Sequence, residues 1–196
     1  MATRSKRIFY GWAMLAALCL TEPISWGVLY DAITVFLKPM ERDLGWSSSE
    51  LTGAFSLSLL IGGLVGIPIG RWLDRRGARG VMTAGSIAAT LLVLAWSRVH
   101  SLAAFYAIWV GIGLASAMVF YEPAFVTVAN WFRRYRPRAL AALTFTAGCS
   151  TLIFVPVSSW LVSNHGWRTA LLILAALLGG VTIPLHALLL RRRPED

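Results

Sequence analysis

Long apolar segments constrain this chain more than any other feature, because a helix needs about 20 mainly apolar residues to cross a bilayer. Hydrophobic residues make up 57% of the 196 residues and charged residues only 14%, whereas soluble domains carry about 25% charge. Six segments meet the length requirement, and they lie at residues 9–37, 51–72, 80–98, 101–130, 139–163 and 167–190. The connections between them are short. The sequence therefore predicts an all-α membrane protein with six transmembrane helices in one domain, residues 1–196.

The distribution of positive charge predicts how the six spans are oriented. Lys and Arg accumulate in the cytoplasmic loops of membrane proteins. Spans that alternate in direction place 14 of the 18 Lys and Arg residues on the side of the N-terminus. The four on the opposite side are Lys38, Arg42, Arg98 and Arg168. We therefore predict an integral protein of the plasma or inner membrane with both termini in the cytoplasm. Short basic clusters between apolar runs do not form the solvated basic face of a nucleic-acid-binding protein, so nucleic acid is not an expected partner.

Two segments of the sequence resemble each other. IPIGRWLDRRGARG at 67–80 resembles VPVSSWLVSNHGWR at 155–168. The matched residues are Pro68 with Pro156, Trp72 with Trp160, Leu73 with Leu161, Gly77 with Gly166, and Arg79 with Arg168. The second copy lacks counterparts of Asp74, Arg75 and Arg76, which is expected if the first copy faces the cytoplasm and the second faces the opposite side.

The similarity extends upstream, where Tyr30-Asp31 in the first span matches Tyr121-Glu122 in the fourth. Each copy of the repeat then contains three spans, so the second copy enters the membrane in the opposite direction. The pattern predicts a 3+3 inverted repeat, which is typical of secondary transporters.

Three acidic residues lie inside predicted spans: Glu22 and Asp31 in the first, and Glu122 in the fourth. A charge near the bilayer centre costs about 2.5–3.5 kcal/mol on insertion scales, so such residues usually face a cavity or a partner. Glu22 and Glu122 each precede a proline, which removes a helical hydrogen bond. We predict these three acids, with Tyr30 and Tyr121 beside them, as candidate proton or substrate sites. The alternative is that neighbouring Tyr, Ser or Trp side chains satisfy the carboxylates in structural hydrogen bonds.

Small residues recur at every fourth position of the second span, at Ser58, Gly62, Gly66 and Gly70. They share one helix face and permit close contact between helices. The contact predicted for this face is with another span of the same bundle, and the alternative is contact with a second six-span unit.

The other polar residues form no catalytic or metal-binding pattern. Cys19 and Cys149 lie in apolar runs and are predicted to be core residues. His100, His165 and His186 lie near predicted span ends and are predicted to be interfacial residues. No spacing is typical of a metal site, a phosphate-binding loop or a nucleophile–base pair. We expect neither a cofactor nor an enzyme.

The sequence GRWLDRRGAR at 70–79 resembles the loop motif of major facilitator superfamily transporters, which lies between the second and third spans. The motif is Gly, three residues, Asp, Arg, one residue, Gly and a basic residue, and it is matched here by Gly70, Asp74, Arg75, Gly77 and Arg79. Ala78 departs from it, because a basic residue is frequent at that position. The resemblance implies that Asp74, oriented by Arg75 and Arg79, stabilises the outward-facing state by bonding to a helix N-terminus in the opposite half.

Three further stretches are similar to monocarboxylate and oxalate/formate transporters: YGW at 10–12, LGWS at 44–47 and WFRRYRPRALA at 131–141. The resemblance implies proton-coupled transport of small organic anions by alternating access, with the first and fourth spans lining the cavity. No Lys or Arg lies in the middle of a span, so a substrate carboxylate would need a cation from outside this chain.

The family normally has twelve spans in two halves, and the predicted spans of this chain correspond to the N-terminal half. The chain ends at RRRPED, where the central loop of the family would begin. We expect a second six-span unit as partner, either a missing C-terminal half or a second copy in a homodimer. The alternative is a non-transporting truncated product, or an assembly partner of another half-transporter.

Overall fold

The computed structural model describes residues 10–191, with all their side chains except those of Asp74 and Arg76. Every regular element in this range is helical. The elements are α1 (Tyr10–Trp26), a π-helical turn (Gly27–Asp31), α2 (Ala32–Leu44), α3 (Ser48–Arg76), α4 (Ala78–Trp96), α5 (Leu102–Val119), α6 (Tyr121–Trp131), α7 (Arg136–Gly148) and α8 (Ser150–Leu189). The predicted all-α class is confirmed. The terminal basic clusters used to predict the topology, Arg4 to Arg7 and Arg192 to Arg193, lie outside the described residues.

Five helical segments in this range are long and apolar enough to cross a membrane. They are Tyr10–Leu44, Ser48–Leu73, Ala78–Trp96, Leu102–Trp131 and Arg136–Leu189. The first four correspond to the first four predicted spans. The predicted spans at 139–163 and 167–190 both fall within the fifth segment, which is 54 residues long. The backbone leaves helical geometry inside this segment at Gly166, with φ 76° and ψ 161°.

Local sequence signals set the connection between α2 and α3. Gly45 adopts a left-handed conformation, and its N–H donates to Glu41 O over 3.0 Å, which ends α2. Ser47 and Glu50 then form a capping box, in which each side chain accepts a hydrogen bond from the backbone N–H of the other residue. The first span is predicted to end at residue 37, with the apolar run. The helix instead continues to Leu44, because the residues that end it and begin the next helix come only at Gly45 and Ser47.

Both long segments that carry the candidate acids are interrupted. In the π-helical turn, the Ala32 N–H donates to Gly27 O, five residues back. Phe120 separates α5 from α6 with an extended backbone, φ −81° and ψ −159°. Pro123 then lies in the first turn of α6, where a missing N–H costs no intrahelical bond.

Aromatic side chains fill the core between α2, α4 and α5. Phe36, Trp96, Phe105 and Trp109 are each 0% exposed. The ring centroids of Trp96 and Trp109 lie 5.0 Å apart, and those of Phe36 and Trp96 lie 5.5 Å apart. A second apolar cluster joins α1, α6 and α7 through Leu18, Val128 and Leu143.

Large apolar side chains also cover parts of the outer surface. Leu64 and Ile67 on α3 are 63% and 67% exposed, and Phe145 on α7 and Leu152 on α8 are 74% and 77% exposed. Soluble proteins rarely expose apolar residues in such contiguous sets. This surface suits lipid contact, as expected of an integral membrane protein.

Arg168 holds several helix ends together at one end of the bundle. Its guanidinium donates to the carbonyl oxygens of Ser97 and Val99 at 3.2 Å and 3.1 Å, and to Asp43 Oδ2 at 3.2 Å. The indole Nε1 of Trp167 donates to the same Asp43 oxygen at 3.1 Å. These contacts fix the ends of α2 and α4 beside the part of α8 that follows Gly166.

Candidate functional site

A partly open cavity of about 150 Å³ lies between the π-helical turn, α3 and the junction of α5 with α6. Its lining includes Trp26, Tyr30, Ser58, Gly62, Gly63, Ser116, Phe120 and Glu122. Tyr30 and Glu122 are predicted site residues, and Ser58 and Gly62 belong to the predicted packing face. The cavity thus brings together residues from the first, second and fourth predicted spans.

Stacked aromatic rings form one wall of this cavity. The rings of Trp26 and Phe120 lie nearly parallel, with an interplanar angle of 12° and centroids 4.1 Å apart. Tyr30 meets Trp26 edge-on at 5.3 Å, and Tyr121 lies 5.0 Å from Trp26 on the other side. Tyr121 is half-buried and does not line the cavity itself. Trp26 therefore connects both predicted tyrosines, although the sequence analysis did not single it out.

Glu22 is 0% exposed, and neither oxygen of its carboxylate has a hydrogen-bond partner among the described residues. It lies one helical turn before Trp26, and its carboxyl interacts with the Trp26 indole, although the buried Nε1 group makes no bond of normal geometry within that part of the chain. The carboxyl is close enough to Glu122 for the two groups to interact electrostatically. Burial of an ionised carboxylate without a partner is costly, so this group is suited to holding a proton or meeting a cation.

Asp31 has a different environment, because its carboxylate is held by two hydroxyl groups of α8. Ser150 donates to Asp31 Oδ2 over 2.6 Å, and Thr151 donates to Oδ1 over 2.9 Å. The Ser150 hydroxyl also lies 3.1 Å from the carbonyl oxygen of Pro23. These contacts fasten the π-helical turn to α8. The hydroxyl pair Ser150-Thr151, within an otherwise apolar stretch, is the sequence signal that would have indicated this contact.

Glu122 lies at the cavity and is exposed. Within the described range, its carboxylate makes no hydrogen bond or ion pair, but it interacts electrostatically with Glu22. The two glutamates therefore differ, since one is enclosed and the other faces open space. This arrangement suits the binding of a proton or a cationic group. Among residues 10–191, no group of three or more His, Cys, Asp or Glu side chains is arranged to hold a metal ion.

The loop motif lies where α3 meets α4. Gly77 separates the two helices with φ 79° and ψ 165°, a region that is essentially restricted to glycine. Gly70 lies within α3, and Arg75 and Arg79 are exposed on either side of Gly77. Asp74 belongs to α3, but its side chain is outside the described set.

The small residues of α3 are not equivalent. A Cβ atom at Gly62 would lie 3.3 Å from the Gly113 carbonyl oxygen of α5, whereas one at Gly66 would meet no atom within 4 Å. Ser58 is buried, and its backbone lies so close to Gly113 that a Cβ atom there would overlap it. The Ser58 end of this face thus packs inside the bundle. The sequence analysis did not identify Gly113 as the partner.

His186 is enclosed at the centre of three helices, and its prediction as an interfacial residue is wrong. The side chain is 0% exposed. Its Nδ1 lies 2.8 Å from Ser86 Oγ, and its Nε2 lies 3.0 Å from Thr21 Oγ1. These bonds satisfy both ring nitrogens inside the bundle, so burial of the imidazole is tolerated. The sequence signal for this contact was one polar residue in each of three apolar helices, at Thr21, Ser86 and His186.

Long apolar helices with apolar residues on the outer surface, and a buried acid inside one of them, are typical of an integral membrane protein with a functional polar site. The family model of the Major Facilitator Superfamily matches residues 10–196. The chain belongs to this superfamily, as the loop motif predicts.

Curated relatives are transporters of the same superfamily. An uncharacterized MFS-type transporter of Bacillus subtilis (strain 168), YcxA, is 28% identical over 84% of this chain and 41% of its own length. Monocarboxylate transporter 11 of Mus musculus is 30% identical over 90% of this chain and 38% of its own length. The chain therefore spans about two fifths of the length of these relatives.

Solved structures confirm the fold. A bacterial homologue of the human lysosomal transporter Spinster, inward-facing and unoccupied, superposes with a TM-score of 0.79 at 19% sequence identity. That match covers 98% of this chain and 45% of the Spinster homologue. The occupied inward-facing form of the homologue gives a TM-score of 0.80 at 18% identity.

Proposed function

We propose that this chain forms a six-span bundle built as a 3+3 inverted repeat. A continuous helix of the length of the fifth apolar segment would extend about 80 Å, whereas the hydrocarbon core is about 30 Å thick. The break at Gly166 divides it into two spans. Gly166 and its sequence counterpart Gly77 share nearly the same backbone angles, 76° and 161° against 79° and 165°. The charge distribution then supports both termini being cytoplasmic.

We further propose that the bundle is part of a secondary transporter that works by alternating access and is coupled to protons. The observation that carries the proposal is the buried carboxylate of Glu22, which has no countercharge among the residues that the structure describes and lies one turn before Trp26, in the lining of a cavity formed by spans one, two and four. A carboxyl group buried in this way can exchange a proton only when its surroundings change. Alternating exposure of the cavity to the two sides of the membrane provides that change.

The proposed substrate is a small organic molecule with a carboxylate group. This class is supported by the similarity to the monocarboxylate transporters. No basic residue lies mid-span in the sequence, so the cation that binds the carboxylate comes from a second six-span unit, a C-terminal half or a second copy. Asp74, Arg75 and Arg79 are proposed to contact that unit and to stabilise the outward-facing state.

Transport assays on reconstituted protein test the proposal. Purified chain in proteoliposomes, alone and together with a second six-span unit, is supplied with labelled lactate, oxalate and formate under an imposed proton gradient. We expect Glu22→Gln to abolish gradient-driven uptake while exchange between internal and external substrate persists. Glu50→Gln serves as the control, because Glu50 does not line the cavity and glutamine also serves at the third position of a capping box. Uptake that depends on the proton gradient equally in Glu22→Gln and in the unmodified chain would refute the role of Glu22.

A further inference from the structure

The cavity combines aromatic rings with a carboxylate, and its lining includes no Lys or Arg among the described residues. Trp26, Tyr30 and Phe120 supply the rings, and Glu122 supplies the negative charge. Aromatic faces and carboxylates both attract ammonium groups. A simple carboxylate in this cavity would instead meet Glu122 as a like charge. We infer that the cavity binds the ammonium group of the substrate, and that the substrate is a quaternary ammonium carboxylate of the betaine type.

The internal repeat supports this assignment, because the two copies treat equivalent acids differently. Asp31 and Glu122 occupy matched positions. The spacing that pairs Pro68 with Pro156 also pairs Gly62 with Ser150 and Gly63 with Thr151. The carboxylate of Asp31, in the first copy, binds the hydroxyl groups of Ser150 and Thr151, in the second.

Glu122, in the second copy, meets the reverse arrangement, because the first copy has glycines at the positions that match the two hydroxyl residues. Gly62 and Gly63 line the cavity together with Glu122. At Gly63, where a Cβ atom would meet no atom within 4 Å, the cavity wall is open, whereas the matched position next to Asp31 is filled by the Thr151 side chain. A ligand with a positive group would supply the partner that this carboxylate lacks within the described residues.

Glu22 provides a second, independent observation at the same place. Its carboxylate is completely buried one turn before Trp26, makes no hydrogen bond of normal geometry within the described part of the chain, and interacts with the Trp26 indole and electrostatically with Glu122. One carboxyl group in the cavity lining, at Glu122, and a second that interacts with it, at Glu22, favour the binding of a cation and disfavour that of an anion.

The inference rests on the proposed transport function and makes its substrate more specific. A betaine has a carboxylate at one end and a quaternary ammonium at the other. The carboxylate is bound by the second six-span unit, which supplies the basic residue, and the ammonium group enters the cavity of this chain. A single substrate thus accounts for the acidic, aromatic cavity and for the similarity to carriers named for monocarboxylates.

Two ligands of the same shape test the inference directly. Glycine betaine and 3,3-dimethylbutyrate differ only in that a carbon atom replaces the quaternary nitrogen, so only the first has a positive charge. Equilibrium binding of both is measured on the full purified chain in mild detergent, with choline as an ammonium ligand that lacks the carboxylate. We expect betaine and choline to bind at least about tenfold more tightly than 3,3-dimethylbutyrate. Equal binding, tighter binding of 3,3-dimethylbutyrate, or no saturable binding of betaine and choline to a monodisperse chain would overturn the inference.

Two variants locate the binding to this cavity. Glu122→Gln should weaken betaine binding by about tenfold or more and leave 3,3-dimethylbutyrate unaffected. Gly63→Thr should abolish betaine binding, because its side chain would occupy the cavity that Gly63 and Glu122 both line. A Cβ atom at Gly63 meets no atom within 4 Å, so the helix accepts the change.

Gly180→Thr is the matched control, since Gly180 is exposed on α8 and its Cβ would also meet no atom within 4 Å. Elution profile and thermal unfolding show that each variant is folded. Betaine binding that survives both Glu122→Gln and Gly63→Thr overturns the inference.

Failure of the inference and failure of the proposed transport function give different results. Betaine binding that depends on Glu122, without uptake in proteoliposomes, supports the ammonium site and contradicts transport. Proton-driven uptake of lactate or 3,3-dimethylbutyrate that is unchanged in Glu122→Gln supports transport and overturns the ammonium site.

Discussion

The contact between α3 and α5 leads to a stability prediction for Gly113. A Cβ atom at this position would lie 3.0 Å from the Ser58 C and Cα atoms and closer still to the Ser58 carbonyl oxygen. These are backbone atoms in the middle of a helix, so they cannot turn aside as a side chain does. Gly113→Ala therefore requires α3 and α5 to move apart by about 1 Å, which forfeits a quarter to a half of the dispersion energy of each facing atom pair.

The magnitude follows from two opposing effects. Overpacking of a tight contact costs about 3 kcal/mol at the upper end of its usual range, and alanine in place of glycine stabilises a helix by about 1 kcal/mol. The expected net loss is about 2 kcal/mol, which lowers the melting temperature by about 4–8 °C for a chain of this length. The nine Trp residues provide a fluorescence signal for thermal unfolding in detergent.

A graded series of glycines controls for the effect of alanine itself. Gly180→Ala should leave the melting temperature unchanged or raise it, because its Cβ meets no atom within 4 Å. Gly111→Ala should have an intermediate effect, since its Cβ would contact the end of the flexible Leu92 side chain at 2.8 Å. A melting temperature of Gly113→Ala equal to or above that of the unmodified chain would refute the backbone contact between α3 and α5.

Four further substitutions test other features of the fold by the same unfolding assay. Asp31→Asn should cost about 1–3 kcal/mol because it weakens two charge-assisted hydrogen bonds to α8, and an unchanged melting temperature would contradict this contact. His186→Ala should cost about 2–4 kcal/mol because it removes the ring's hydrogen bonds to the buried Ser86 and Thr21 hydroxyl groups and opens a cavity. A loss as small as that expected for an exposed residue would show that the ring is not enclosed. Gly166→Ala and Gly77→Ala should each cost about 1–3 kcal/mol, since both positions have backbone angles restricted to glycine, and clearly unequal losses would argue against their equivalence.

The helical class and the approximate positions of the helices could be predicted from the sequence, because they depend on properties of single stretches. Length and apolar composition are sufficient to indicate a spanning helix. The span predicted at 80–98, for example, corresponds to α4 at Ala78–Trp96. The family could be predicted from the loop motif, because its residues lie next to one another in the chain.

Contacts between helices could not be predicted in the same way. A helix that is apolar on all sides has no periodicity to show which face packs inward. The pairing of Asp31 with Ser150, the enclosure of His186, and the contact of Gly113 with Ser58 all depend on which faces meet. Each joins residues from different spans, and only the three-dimensional arrangement identifies them.

The two copies of the internal repeat also place their chemistry unequally. The spacing that matches Asp31 with Glu122 matches Glu22 with Gly113. Where the first copy has the buried carboxylate of Glu22, the second copy has Gly113, whose backbone packs directly against that of Ser58. At the level of Asp31 and Glu122 the relation reverses, because the first copy is closed by hydroxyl bonds and the second opens into the cavity. Equivalent chemistry in both copies would produce two like sites. These complementary substitutions instead leave one cavity with Glu122 in its lining and Glu22 buried one turn before Trp26, and a single cavity of this kind is what the proposed substrate site requires.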